Sequence, residues 1–181
     1  MKDKIPDPKF VGFFPKVSCP TPEGFNNDNI KEICSVSECV AKGPKDWIDK
    51  WEHNDLGFFD SEEKVLNVIE NEKDKYCIYA YELYPLKFAR NKAENYSIPV
   101  SPYGNLSNFE FLGYDIVSKS SSDFFECSLL SCNGLYEIYP VNQYCLIDNL
   151  ENAYKYCLEI EKEKGEPGPY YLFKVYRKKI G

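Results

Sequence analysis

Two short stretches carry most of the chemistry open to this sequence. Cys34-Ser35-Val36-Ser37-Glu38-Cys39 is answered by Cys127-Ser128-Leu129-Leu130-Ser131-Cys132, 93 positions later. Cysteines with four residues between them fall within the looser spacing of zinc ligands, so four thiolates gathered from both stretches would make a tetrahedral metal centre. The same thiols also read as buried structural groups, as a nucleophile or as disulfide partners. A nucleophilic thiol needs a base beside it, and His53 is the single histidine of the chain. No catalytic set is therefore assembled, and neither a metal nor another cofactor is expected. The reading that uses most residues is a binding one. Ser35, Ser128, Ser131 and Asn133, with His53, Asn54 and Asn142, would present hydroxyl, imidazole and amide groups to a ligand or partner from turns on a rigid scaffold. The bond state of Cys34, Cys39, Cys127 and Cys132 stays open at this level.

The remaining polar and thiol residues have plainer roles. Cys77, Cys145 and Cys157 lie in apolar runs as small hydrophobes, and Cys19 sits in a proline-rich loop. Pro44, Trp47, Ile48 and Trp51 suggest an amphipathic helix, whose dipole would favour His53 at its end. Asn54 and Asn142 suit the bracing of turns through their side-chain amides.

The elements that must position these groups are themselves patterned twice. Asn54, Asp60 and Glu63 recur as Asn142, Asp148 and Glu151 at an offset of 88, and Val65, Leu66 and Ile69 as Ala153, Tyr154 and Cys157. Tyr76-Cys77-Ile78-Tyr79 is answered by Tyr170-Tyr171-Leu172-Phe173 at an offset of 94. The second copy is thus five residues shorter around positions 47–51 and six longer around 165–169. In the first copy, residues 56–59 read as a strand, Asp60 and Glu63 as a capping box, 61–71 as a helix and 76–84 as a strand. The second repeats this with 144–147, Asp148 and Glu151, 149–163 and 170–177. Residues 10–17 and 109–118 read as further strands. The expected fold is α+β, a mixed sheet with packed helices. Internal duplication of a strand–helix–strand unit would give a single pseudo-twofold domain over 1–181, with half-repeats at 1–87 and 109–181 and a connecting loop at 88–108.

The stretch from Cys145-Leu146-Ile147-Asp148 through Gly168-Pro169-Tyr170-Tyr171-Leu172 resembles the strand, Asp-capped helix and strand of ADP-ribosyltransferase-like folds. Enzymes of that family hold NAD with an Arg or His on an early strand and with further aromatic and acidic residues. This sequence offers no such set, so the resemblance implies a shared structural unit and no activity.

Composition narrows the function classes. The 181 residues carry 22 Lys+Arg against 29 Asp+Glu, a net charge of −7, and only Arg90 and Arg177 are arginines. Nucleic-acid affinity rests on cations that neutralise phosphates, so a nucleic-acid partner is not expected. The aromatic richness, 15 Tyr and 12 Phe, suits strands and interfaces better than base stacking without a basic groove. Arg177-Lys178-Lys179 reads as a solvated basic end. No apolar run is long enough to cross a membrane, the opening residues lack an apolar leader, and the expected location is cytoplasmic. The function expected is that of a small acidic protein binding another, basic, protein, such as a toxin-neutralising immunity protein or an inhibitor in bacterial or phage conflict. The alternative is a small-ligand or nucleotide-binding protein or enzyme using the cysteine–serine loops and His53.

Overall fold

The structure is a computed structural model that describes residues 4–50, 52–90, 92–99, 104–119, 124–125, 127–160 and 168–181. Trp51, Pro102, residues 161–163 of the expected helix and residues 165–167 of the expected insertion at 165–169 lie outside the described residues. Among the described residues six strands form one sheet: β1 (Lys9–Val17), β2 (Tyr76–Ala89), β3 (Lys92–Asn95), β4 (Glu110–Ser118), β5 (Cys127–Ser128) and β6 (Tyr170–Lys179). The path runs β1-β2-β6-β4-β5, and β3 folds back on the far end of β2. The α+β class holds. A mixed sheet was anticipated, whereas all five described ladders are antiparallel.

The central strands are rich in apolar and aromatic residues because both of their faces are covered. Along β6, Tyr171, Phe173 and Val175 enter one hydrophobic cluster while Tyr170 and Leu172 enter another, the two-residue alternation of a strand. Helix α1 (Glu62–Val68) sends Val65 and Val68 into the first cluster. Helix α2 (Leu150–Glu159) sends Ala153, Tyr156 and Cys157 into the second. No helix among the described residues is long and apolar enough to cross a membrane.

Several local expectations are corrected. The caps fall one residue later than Asp60 and Asp148: Ser61 Oγ accepts from Lys64 N–H at 3.3 Å, and Asn149 Oδ1 from Asn152 N–H at 2.9 Å. Residues 56–59 and 144–147 are not full strands. Each touches the sheet through a single bridge, Phe59 on Phe13 and Ile147 on Tyr114. Among the described residues the region of Trp47 forms a turn and a short 3₁₀ segment, Ile48–Lys50, and no α-helix leads into His53. The segment read as a connecting loop begins inside β2 and contains β3. Arg177, read as part of a solvated end, is only 6% exposed and lies within β6.

Both single bridges rest on one local device. In β1 the register shifts at Gly12, which has φ 139°, and in β4 at Gly113, which has φ 143°. Beside Gly12, Asn54 Nδ2 donates to Val11 O at 2.9 Å and Asp60 Oδ1 at 3.1 Å, while its Oδ1 accepts from the N–H groups of Leu56 and Phe58. Beside Gly113, Asn142 makes the matching four bonds to Leu112 O, Asp148 Oδ1, Tyr144 N–H and Leu146 N–H. This explains Asp60 and Asp148 better than capping does, since each supplies the acceptor that fixes the amide.

Candidate thiol site between two serine–cysteine turns

The two Cys-Ser turns are anchored by buried charges carried on β1 and β4. Lys16, near the end of β1, is fully buried and donates to three successive carbonyls of the first turn, those of Ser35, Val36 and Ser37, at 2.6, 2.5 and 2.6 Å. Asp115, in the middle of β4, is also fully buried. It accepts from Val36 N–H at 2.7 Å, Ile116 N–H at 2.9 Å and Ser128 Oγ–H at 2.7 Å. One carboxylate thus holds both turns. Ser37 Oγ completes the seam by accepting from Ser128 N–H at 3.1 Å. Burial brings the Lys16 ammonium down to about 8, opposed by the charges of Glu38 and Asp115. Burial likewise raises the Asp115 carboxyl to about 6, opposed chiefly by its bond from Ser128.

The seam gathers sulfur. Cys39 and Cys127 lie Sγ to Sγ at 3.5 Å, and Cys132 Sγ is 3.5 Å from Ser37 Oγ. The Sγ atoms of Cys39, Cys127 and Cys132 all lie within 4.8 Å of one another. None of the eight cysteines is in a disulfide. The thiol of Cys39 is held below its usual range, mainly by a hydrogen bond from Cys132. Cys34 does not join them, so the four-thiol arrangement that the spacing left open is not assembled among the described residues. Its sulfur accepts from Tyr79 Oη at 3.4 Å and contacts Arg177 Nη1 at 3.7 Å, and burial pushes its thiol up to about 12. The reason is conformational: the turn carries Cys34 inward beneath the sheet and leaves Cys39 exposed.

The other expected site residues divide into two groups. Ser128 belongs to the seam, and its Oγ also accepts from Ser131 N–H at 3.3 Å. Ser131 and Ser35 are buried, and Ser35 Oγ has no hydrogen-bond partner among the described residues. Asn133 is half-buried in the turn that follows. Asn54 and Asn142 are placed elsewhere, in the two braces described above. His53 lies against Trp47 and Phe124, with ring centroids 5.1 and 5.4 Å away, and its ring nitrogens face the carbonyls of Asn54 and Ile48. Sequence reasoning missed Lys16 and Asp115. Their signal was present, since each is a charged residue within an otherwise apolar strand run.

Beside Cys39 a pocket of about 370 Å³ opens, walled by Phe14, Val36, Trp47, Phe58, Phe124 and Phe125. Glu38 steadies its rim by accepting from Gly43 N–H at 2.9 Å and Trp47 Nε1–H at 3.0 Å. A larger cleft of about 1120 Å³ adjoins it through Glu38, Trp47 and Ile48.

No family model matches this chain, and no curated protein or solved structure does either. The resemblance to ADP-ribosyltransferase-like folds therefore gains no support from comparison, and the function must be argued from the geometry.

Proposed function

We propose that this protein acts in the cytoplasm by binding another protein, a basic one, through the aromatic pocket beside Cys39 and the cleft that adjoins it. The observation that carries this reading is an apolar pocket bordered by acid. The cleft is lined by Glu38, Asp46, Asp49 and Glu72 against two lysines, Lys42 and Lys45. Ile48, 45% exposed, stands where pocket and cleft meet. Interfaces concentrate their energy in such apolar centres within a polar rim. An acidic rim on a chain of net charge −7 also speeds the approach of a cationic partner. A neutraliser of a basic toxin, or an inhibitor in bacterial or phage conflict, has these properties.

We also take the fold to be one domain built from a duplicated strand–helix–strand unit. Two features support this. Tyr81 of β2 pairs directly with Val175 of β6, its own counterpart at the 94-residue offset, as a twofold axis between the strands requires. The Gly–Asn–Asp brace also occurs once in each half, with the same bonds.

The partner reading is tested by capture from extracts of the source cells, comparing wild-type protein with Ile48→Lys. A protein retained by the wild type, released by added salt and lost with Ile48→Lys is the expected result. Equal capture by both forms overturns the assignment of the face. A small molecule recovered in place of a protein favours ligand binding at the serine–cysteine turns.

A further inference from the structure

We infer that Cys39, Cys127 and Cys132 together bind one zinc ion through three thiolates, with a fourth position left for water or an incoming ligand. The inference shares Cys39 with the lining of the pocket but uses none of the pocket's aromatic residues, so it stands on the sulfur seam and not on the partner reading.

Zinc–sulfur bonds are about 2.3 Å long, so sulfurs around a tetrahedral ion stand roughly 3.8 Å apart. Cys39 and Cys127 are already 3.5 Å apart, and all three sulfurs fall within 4.8 Å of one another. Shifts of about 1 Å or less would therefore enclose an ion. The ligands come from two turns remote in sequence, and Cys127 and Cys132 retain a local ligand spacing.

The seam around the sulfurs has the form of an outer shell. Ser37 and Ser131 place hydroxyls 3.5 and 3.9 Å from Cys132 Sγ, where each could donate to a thiolate. Such outer contacts orient ligands and tune the metal. The turns do not need the ion to hold their shape, since Lys16 and Asp115 fix them from beneath. Three thiolates select a soft ion over calcium or magnesium. Binding releases the three thiol protons to solvent and leaves one negative charge on the centre. Cys34 is excluded by its place beneath the sheet, so the chain supplies three sulfurs and not four. Three protein ligands among the described residues, with an exchangeable fourth position, are the arrangement of reactive rather than purely structural zinc sites.

The test uses the full chain, reduced and stripped of metal with a chelator under anaerobic conditions, then titrated with cobalt(II) and afterwards zinc(II). The expected result is one cobalt per chain, with sulfur-to-cobalt charge-transfer absorption and tetrahedral ligand-field bands, displaced by one equivalent of zinc. Cys39→Ser and Cys132→Ser should weaken zinc binding by more than the roughly 10–100-fold that loss of an outer-shell contact costs. Cys77→Ser, outside the cluster, should bind as the wild type does. Absence of the thiolate bands, or unchanged zinc affinity in Cys39→Ser, overturns the inference. So does a chain that takes copper(I) but refuses cobalt and zinc, or one isolated with a Cys39–Cys127 disulfide that takes up no cobalt once reduced. Should Cys132→Ser fail to fold by circular dichroism, Cys39→Ser decides the matter, because Cys39 is exposed.

Discussion

At residue scale, Asp115 adds a side-chain tie to the β4–β5 backbone ladder. Its carboxylate joins β4 to two turns that are far apart in sequence, accepting from Val36, Ile116 and Ser128. Removing it from water is costly, and three donors offset that cost only in part, so its folded-state carboxyl titrates at about 6 against 3.8 for the ordinary group. The sign of the consequence follows from proton counting. Between about pH 4 and 6 the unfolded chain has lost this proton while the folded chain keeps it. Stability from this group is therefore full below pH 4 and declines as pH rises to 6, by on the order of 3 kcal/mol at most. Urea unfolding of wild type and Asp115→Asn across pH 4–6.5 measures it. The difference, wild type minus variant, should shrink with rising pH, and a constant difference would refute the assignment.

At the scale of elements, the strand bulges and the asparagine braces are one device. A Cβ on Gly113 would stand 2.8 Å from Leu146 Cβ and 2.9 Å from Ile147 O, on a backbone with φ 143°. The close approach lets Asn142 reach Leu112 O and lets Ile147 bridge Tyr114. Gly113→Ala should cost roughly 2–4 kcal/mol, combining backbone strain with a displaced bridge. Chemical denaturation reads the loss, and a cost below about 1 kcal/mol would mean that the bulge relaxes without harm. The elements themselves were largely legible. Runs such as Tyr76-Cys77-Ile78-Tyr79 and the stripe of Val65, Leu66 and Ile69 marked β2 and α1. The recurrence of Asn54 and Asp60 as Asn142 and Asp148 was visible too, but its meaning was not. An aspartate just before a helix looks like a cap, and only the register of β1 and β4 shows that an asparagine needs it.

At the scale of the whole molecule, Arg177 ties the last strand to the first turn. Its guanidinium pairs with Glu32 and, at 3.6 Å, with Glu110, and lies 5.1 Å from the Tyr144 ring centroid. The side chain is 6% exposed, so truncating it would leave Glu32, itself only 18% exposed, without its cation. Arg177→Met should therefore destabilise the chain by about 3–5 kcal/mol. Thermal unfolding of Arg177→Met beside the double variant Arg177→Met, Glu32→Gln checks the cause. The second change should recover part of the loss, and no recovery would place the cost in packing instead.

Residue pattern alone determined the α+β class, the main strands and helices, and the two cysteine-bearing turns. These follow from local periodicity, which is written in neighbouring residues. Tertiary structure alone decided that the sheet is antiparallel, that Cys39, Cys127 and Cys132 meet while Cys34 turns away, and that Lys16, Asp115 and Arg177 are buried. A lone charge within a strand is compatible with either solvent or core. Which one it meets depends on chain folding back from distant positions, and spacing along one strand carries no record of that.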